Sequence, residues 1–386
     1  GNPTNHRLGQ THLAQATHVL SNSTFYTLGF SLFKKDFRRS VYDDKNDRRY
    51  VHPNLLEQVT PYSFSTGGVD MGYFNRTTTT MSVKADFTSQ FTQQHLIKGG
   101  VQVSAHDLYF NNITLRPIES QTEINLATDS PFIATRVLDV STIYHDTYTR
   151  RPQEYSAYLQ DKIELDNLII NVGVRFDYFS PDGSILADPT DPSIYNPIKP
   201  SNRFHDANGN GVQDAGESAV SLMEREAYWY TKATDKWQFS PRFGAAFPIS
   251  DRGVLHFSYG HFFQIPRFEL LYTNPFFKLG SGTGNQGTVG NADLKPEKTI
   301  NAEIGLQQQL TEDISADLTA YIRDTRDLAG TRADQITIFG GSATYSRIVN
   351  SDFAFTRGIV LSLSKRFIGG LAASLDYTFQ IVRGTA

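Results

Sequence analysis

The stretch KTINAEIGLQQQLTEDISADLTAYIRDTRD, Lys298 to Asp327, decides the fold. Its first half puts Ile300, Ala302, Ile304 and Leu306 on one side and Asn301, Glu303, Gly305 and Gln307 on the other. Its second half repeats the pattern, with Ile314, Ala316, Leu318, Ala320 and Ile322 opposite Ser315, Asp317, Thr319, Tyr321 and Arg323. A period of two is that of a strand, because successive Cβ atoms leave opposite faces of the pleat. Each arm exceeds the roughly 5–6 residues of an ordinary soluble strand and matches the roughly 9–11 that cross a bilayer. The polar link Thr311-Glu312-Asp313 is short enough only for a hairpin.

The same unit recurs outward from this hairpin. Strands are predicted over His12–Leu20 (weakly patterned), Thr24–Phe33, Thr77–Phe87, Leu96–Leu108, Glu154–Leu165 and Leu168–Phe179. They continue over Gln238–Phe247, Val254–Gln264, Thr356–Phe367 and Leu371–Val382. Polar stretches at Lys34–Asn75, Tyr109–Arg151, Ile265–Glu297 and Leu328–Phe355 read as long loops, and the longest insertion is 180–236. The fold class is therefore all-β, a transmembrane antiparallel barrel of about twelve strands, with tight turns at one end and long loops at the other. A large soluble β-protein, such as a propeller or sandwich array, is the competing reading.

Composition agrees with a barrel. Hydrophobic residues make up only 39% of the 386, while Tyr (19) and Phe (27) far outnumber Trp and Met, as a polar lumen and aromatic girdles require. No apolar run reaches the length of a membrane helix, and no signal peptide opens the chain. The absence of cysteine excludes disulfides and thiolate metal sites, and a net charge of −4 gives no case for nucleic acid.

Three segments carry a family resemblance. Gly290-Asn-Ala-Asp-Leu-Lys-Pro-Glu-Lys-Thr299 running into Ala302-Glu303-Ile304-Gly305 resembles the "NxDLKPE…EIG" stretch of TonB-dependent outer-membrane receptors. Ser240-Pro241-Arg242-Phe243-Gly244 resembles their "SPRxG" strand start, and Phe257-Ser-Tyr-Gly260 with Phe263 and Pro266 their "SYGxxFxxP" strand end. The style is similar to Bacteroidota-type receptors. The resemblance implies residues 1–386 are part of a barrel of about 22 strands in a Gram-negative outer membrane, its wall against lipid and its long loops extracellular. It also implies energised uptake of a scarce or bulky nutrient (siderophore, cobalamin, oligosaccharide or peptide), driven by the TonB system through a plug. Nothing here resembles a plug or TonB box, and the chain stops at Arg383-Gly-Thr-Ala386 rather than on a terminal aromatic strand, so it reads as a truncated middle section. A passive porin or a structural, adhesive outer-membrane barrel is the alternative, and a soluble calcium-dependent adhesive β-protein is a third reading.

Within the longest insertion, Asp206, Asn208, Asn210, Val212 (by its carbonyl), Asp214 and Glu217 fit D-x-[DN]-x-[DN]-G-x5-E, the oxygen spacing that suits Ca²⁺. Ser218–Tyr228 is the candidate exiting helix, whereas Pro200–His205 does not read as an entering one; the role expected of the ion is structural. Tyr228, Trp229, Tyr230, Trp237, Phe276 and Phe277 sit at strand–loop boundaries, where they serve either an interfacial girdle or a stacking platform for ligand. Gly282-Thr-Gly-Asn-Gln-Gly287 matches G-x-G-x-x-G without the flanking strand and helix, and reads as a flexible loop tip. Arg175, Asp177, Arg242, Glu303, Asp317, Arg323 and Asp376 are expected to face the lumen. His256 and His261 fall on opposite faces of one strand. No nucleophile–base–acid grouping emerges from the spacing, and no enzyme is expected.

Overall fold

A computed structural model describes the chain except residues 56–67, 124, 126–128, 281, 332–334 and 386. Ala386, named above, and part of the Lys34–Asn75 stretch therefore lie outside the described residues. Twelve long strands run as a single antiparallel meander: β1 (Thr4–Ser21), β2 (Thr24–Ser40), β3 (Gly72–Gln90), β4 (His95–Thr114), β5 (Gln153–Leu165) and β6 (Leu168–Ser180). They are followed by β7 (Lys236–Ser250), β8 (Gly253–Gln264), β9 (Glu297–Gln309), β10 (Ile314–Thr331), β11 (Ala343–Ile368) and β12 (Leu371–Gly384). Each pairs with its neighbours in sequence, and three short segments, 145–150, 284–289 and 336–338, join the same sheet at the long-loop end. Among the described residues β1 and β12 do not pair with each other, so the sheet is open at both edges.

Register settles the faces. Phe243, Ala245 and Phe247 lie opposite Tyr259, Phe257 and Leu255, and these continue onto Ala302, Ile304 and Leu306, giving an exposed apolar outer surface. Between them Ser258 faces Glu303, Gly260 faces Asn301, and Ser240 faces Arg175 on the inner surface. The order of apolar-out and polar-in is the reverse of a water-soluble barrel, and no helix among the described residues is long and apolar enough to cross a membrane.

The strands overrun the patterned segments. β2 continues to Ser40, β3 begins at Gly72, β4 reaches Thr114, and residues 328–331 and 343–355 extend β10 and β11 into what reads as loop. The weakly patterned first strand begins at Thr4. Hydrogen-bonded ladders continue past the apolar band, where neither face meets lipid and the period of two has nothing to mark it. Residues 284–289 likewise are no free loop tip, because Gly284, Asn285, Thr288 and Val289 pair in parallel with β11.

Proline sets where the sheet parts. The β7–β8 ladder ends at Arg242 opposite Gly260, while Pro241 and the residues before it pair only with β6. Pro241 has no N–H to offer a partner strand, so the upper part of β8, His261–Gln264, stays with β9 alone. Pro266 then stops β8, and the chain turns inward.

Buried apolar residues gather in the loops rather than in the sheet. One cluster joins Leu108, Phe179, Ala233, Leu271, Tyr272, Ala292, Leu294 and Ile348; a second joins Leu186, Ile194, Trp229, Phe277, Val289, Ile338, Ala343 and Tyr345. A third, around Tyr50, Met71, Ile113, Leu115 and Ile133, ties the β2–β3 and β4–β5 loops together. The five long connections therefore form a packed cap over one end of the sheet.

Candidate functional site

The six aromatic candidates separate. Trp229 (4% exposed) and Phe277 (3%) are interior to the cap, with the Trp229 Nε1–H donating to the Pro192 carbonyl at 3.3 Å. Tyr230 stacks on Phe277 at 6.3 Å, and burial pushes its phenol upward. Phe276 receives Arg150 and Lys278 over its ring. Tyr228 is exposed and donates to Asn202 Oδ1. Trp237 projects from the outer face against Phe239, in the rim band that also holds Tyr155 and Tyr178. Both rings lining the cap interior are fully engaged by protein, so the six make no common platform.

Residues 206–217 wind into a compact loop. Asp206 accepts from the amides of Gly209, Asn210 and Gly211; Asn210 Oδ1 accepts from Val212; Glu217 accepts from Ala207 and Asp214. Gly209, Gly211 and Gly216 hold φ of 72°, 75° and 101°, which only glycine adopts freely. Asn208 and Asn210 both donate to Asp214. The stem is closed by backbone bonds, His205 to Ser218 and Val220 to Arg203. A helical turn over Pro200–Arg203 precedes the loop, where the sequence does not suggest an entering helix. A helix over Leu222–Trp229 follows, started by a Ser221–Glu224 capping box. Hard oxygens thus surround the loop as Ca²⁺ prefers, and the donor set fits. Among the described residues no three acidic or histidine side chains converge as a metal cluster, so an ion here would draw on amide and carbonyl oxygens too.

A half-open chamber of about 790 Å³ lies between the cap and the inner wall of β2–β4. Phe37, Phe110 and Tyr148 line it and belong to one aromatic series: Phe37 meets Phe74 edge-on at 5.6 Å, Phe74 meets Phe110 at 5.2 Å, and Phe110 stacks on Tyr148 at 4.8 Å. Tyr148 leads on to Tyr272 and Phe268. Lys35, Arg76 and Arg267 supply positive charge, against Asp146 and Glu269. Arg76 Nη1 bonds Glu269 Oε1 at 2.5 Å. Lys278, nearly buried, donates to the His145 carbonyl at 2.5 Å beside Asp146 at 3.4 Å; burial pushes its ammonium below the usual lysine range.

Below the chamber the wall is polar. Arg175 Nε bridges both oxygens of Asp177 (2.8 and 3.1 Å), Asn301 donates to Glu303 (2.7 Å), and Thr319 to Asp317 (2.9 Å). Of the two histidines on β8, His261 bonds Tyr259 on the outer face, and His256 lies on the inner one. One cluster is assembled by the register alone and leaves no mark in the sequence pattern. Thr80 Oγ1, His106 Nδ1 (2.9 Å) and His106 Nε2 to Glu154 Oε1 (2.8 Å) join β3, β4 and β5, with Phe268 edge-on to the imidazole at 5.0 Å. Opposite pairing of Thr80 with His106 could be found only once the β3–β4 register was known.

A meander of overlong strands, apolar outside and polar inside, with tight turns at one end and a packed loop cap at the other, defines an outer-membrane β-barrel. The sequence pattern of the TonB dependent receptor-like β-barrel family matches residues 2–386, and the chain belongs to that family. It is 30% identical over 148 residues to the iron-regulated outer membrane virulence protein of Vibrio cholerae serotype O1, an alignment covering 36% of this chain and 22% of that protein. It superposes on the FrpB iron transporter of Neisseria meningitidis (TM-score 0.53, 15% identity, 97% of this chain and 44% of that one). It also superposes on the copper transporter OprC (0.55, 13%, 96% and 46%). The chain thus spans under half the length of these solved structures.

Proposed function

We propose that this chain forms part of the wall and cap of a TonB-driven importer, with its loop cap on the extracellular side, its outer face against membrane lipid, and a plug elsewhere in the receptor coupling it to TonB. The cargo is an anionic metal chelate of the iron–siderophore type. The observation that carries this reading is the chamber, where an aromatic series lies beside Lys35, Arg76 and Arg267. Flat rings and cations favour an aromatic, negatively charged chelate. The iron-related names of the Vibrio and Neisseria proteins support the same choice.

The test is uptake of radioactive iron by the source cells, supplied as catecholate, hydroxamate and citrate chelates, with and without the gene. The expected result is loss of uptake from one chelate, abolished equally by a proton uncoupler and cut severalfold by Arg76→Ala with Tyr148→Ala. Uptake of every chelate that is unchanged by deletion overturns the reading, and uptake lost on deletion but indifferent to the uncoupler replaces it with the porin.

Residues 206–217 bind Ca²⁺ structurally in this reading, stiffening the 180–236 insertion. Terbium luminescence sensitised by Tyr228 and Trp229 should saturate in the wild type and vanish in Asp206→Ala; a flat wild-type titration ends the proposal. Exposed Tyr228 and half-buried Phe276 remain the outer aromatic contacts for an arriving ligand.

A further inference from the structure

The chain leaving β8 does not stay in the cap. From Ile265 to Thr273 it runs over the inner face of the sheet from β8 toward β3 and β4, and Ile265 lines both the chamber above and a small polar cavity below, which is bounded by Ser156, Arg175 and Asp177. The outer side of this crossing is fixed. Leu271 (2% exposed) and Tyr272 (1%) are buried in the cap, and the Leu270 and Thr273 carbonyls accept from the Asn291 and Gly290 amides at 2.9 and 2.7 Å. The inner edge is different in kind, since it meets the β3–β4 wall through side chains: Glu269 on Arg76 at 2.5 Å and Phe268 on the His106 ring at 5.0 Å. Glu269 and Arg76 are both substantially exposed.

We propose that Phe268 and Glu269, closing against His106 and Arg76, form the size- and charge-selecting constriction between the chamber and the lumen. The crossing is seated on its outer side, where Leu271 and Tyr272 pack with Leu108 and Tyr148, and Phe268 and Glu269 are the side chains of its inner edge that reach His106 and Arg76. Cargo passes when they swing aside, so their bulk and the paired charge decide what goes through. This rests on the chamber lying on the transport route.

The test needs no cargo. The chain has no cysteine, so Ser156→Cys places one thiol in the cavity under the crossing. In intact cells carrying the full receptor, labelling from outside is compared for a small methanethiosulfonate and a bulky maleimide–dextran. Phe268→Ala/Glu269→Ala is expected to raise the bulky rate at least tenfold and the small rate by about twofold or less. Glu269→Ala alone, which frees Arg76, should favour an anionic methanethiosulfonate over a cationic one by about two- to fivefold, the range of an exposed ion pair. Arg76→Cys with Glu269→Cys joined by a bismaleimide should suppress bulky labelling in a receptor that has already folded. A bulky-to-small ratio that does not move among these forms overturns the constriction, and leaves the uptake reading to its own test.

Discussion

Trp229 decides whether the cap is a packed structure or a set of independent loops. Its indole is interior to the cluster that joins Leu186, Ile194, Val289, Ile338 and Tyr345 from three connections, and its N–H is spent on Pro192. Replacing a buried Trp by Ala costs about 3–5 kcal/mol through lost transfer energy and the cavity left behind. If the cap opens as a unit, its opening constant rises by that amount, roughly a hundred- to several-thousand-fold at 1.4 kcal/mol per tenfold. Trp229→Phe keeps most of the packing and removes the hydrogen bond, worth about 0.5–1.5 kcal/mol, or roughly two- to tenfold. Met223, 81% exposed on the same helix, serves as the control, and Met223→Ala should change little. The assay is native-state hydrogen exchange of the receptor in nanodiscs, followed peptide by peptide. Acceleration should appear in 181–235 and spread to 284–289 and 336–345, with β5 and β6 unaffected. Exchange in Trp229→Ala that stays within a few-fold of wild type, or rises only around residue 229, would refute a shared cap core.

Two further outcomes follow from the same geometry. Burial alone would raise the Asp293 carboxyl, but the Lys236 ammonium and the Thr234 hydroxyl and amide outweigh it and hold it below the usual carboxylate range. A carboxylate depressed in the folded state stabilises fully above its unfolded value near 3.9, and that contribution is lost as pH falls through the folded value. Protease sensitivity of the 265–296 loop should therefore rise below about pH 4, and Asp293→Asn should show that sensitivity already at neutral pH, with the pH dependence flattened. Gly290→Ala would place a Cβ 2.8–3.0 Å from backbone atoms of Thr273, Leu270 and Leu271. None of these can rotate away, so overpacking costs about 1–3 kcal/mol. The substitution should speed exchange in 266–273 while heat-modifiable migration of the barrel on gels is kept; unchanged exchange there would mean the crossing is not seated on Gly290.

What the sequence determined by itself is the repetitive part. Alternation in segments such as Leu168–Phe179 and Ile314–Ile322 reports a strand with lipid on one side and water on the other, and that contrast is written residue by residue. The tight turns, the long insertions and the three motifs needed no tertiary information either. Pattern fails where both faces meet the same medium: the outer reaches of β2, β3, β4, β10 and β11 carry no period, yet their ladders persist because a formed strand templates its neighbour. Only the tertiary structure decided which aromatics are spent on packing. Trp229 and Trp237 look alike in sequence, but one fills the cap and the other faces outward. The chamber, the Thr80–His106–Glu154 contact and the crossing were also invisible. Each joins residues from strands or loops far apart in the chain, and their meeting depends on register and on two prolines, Pro241 and Pro266, that free one strand end to turn inward.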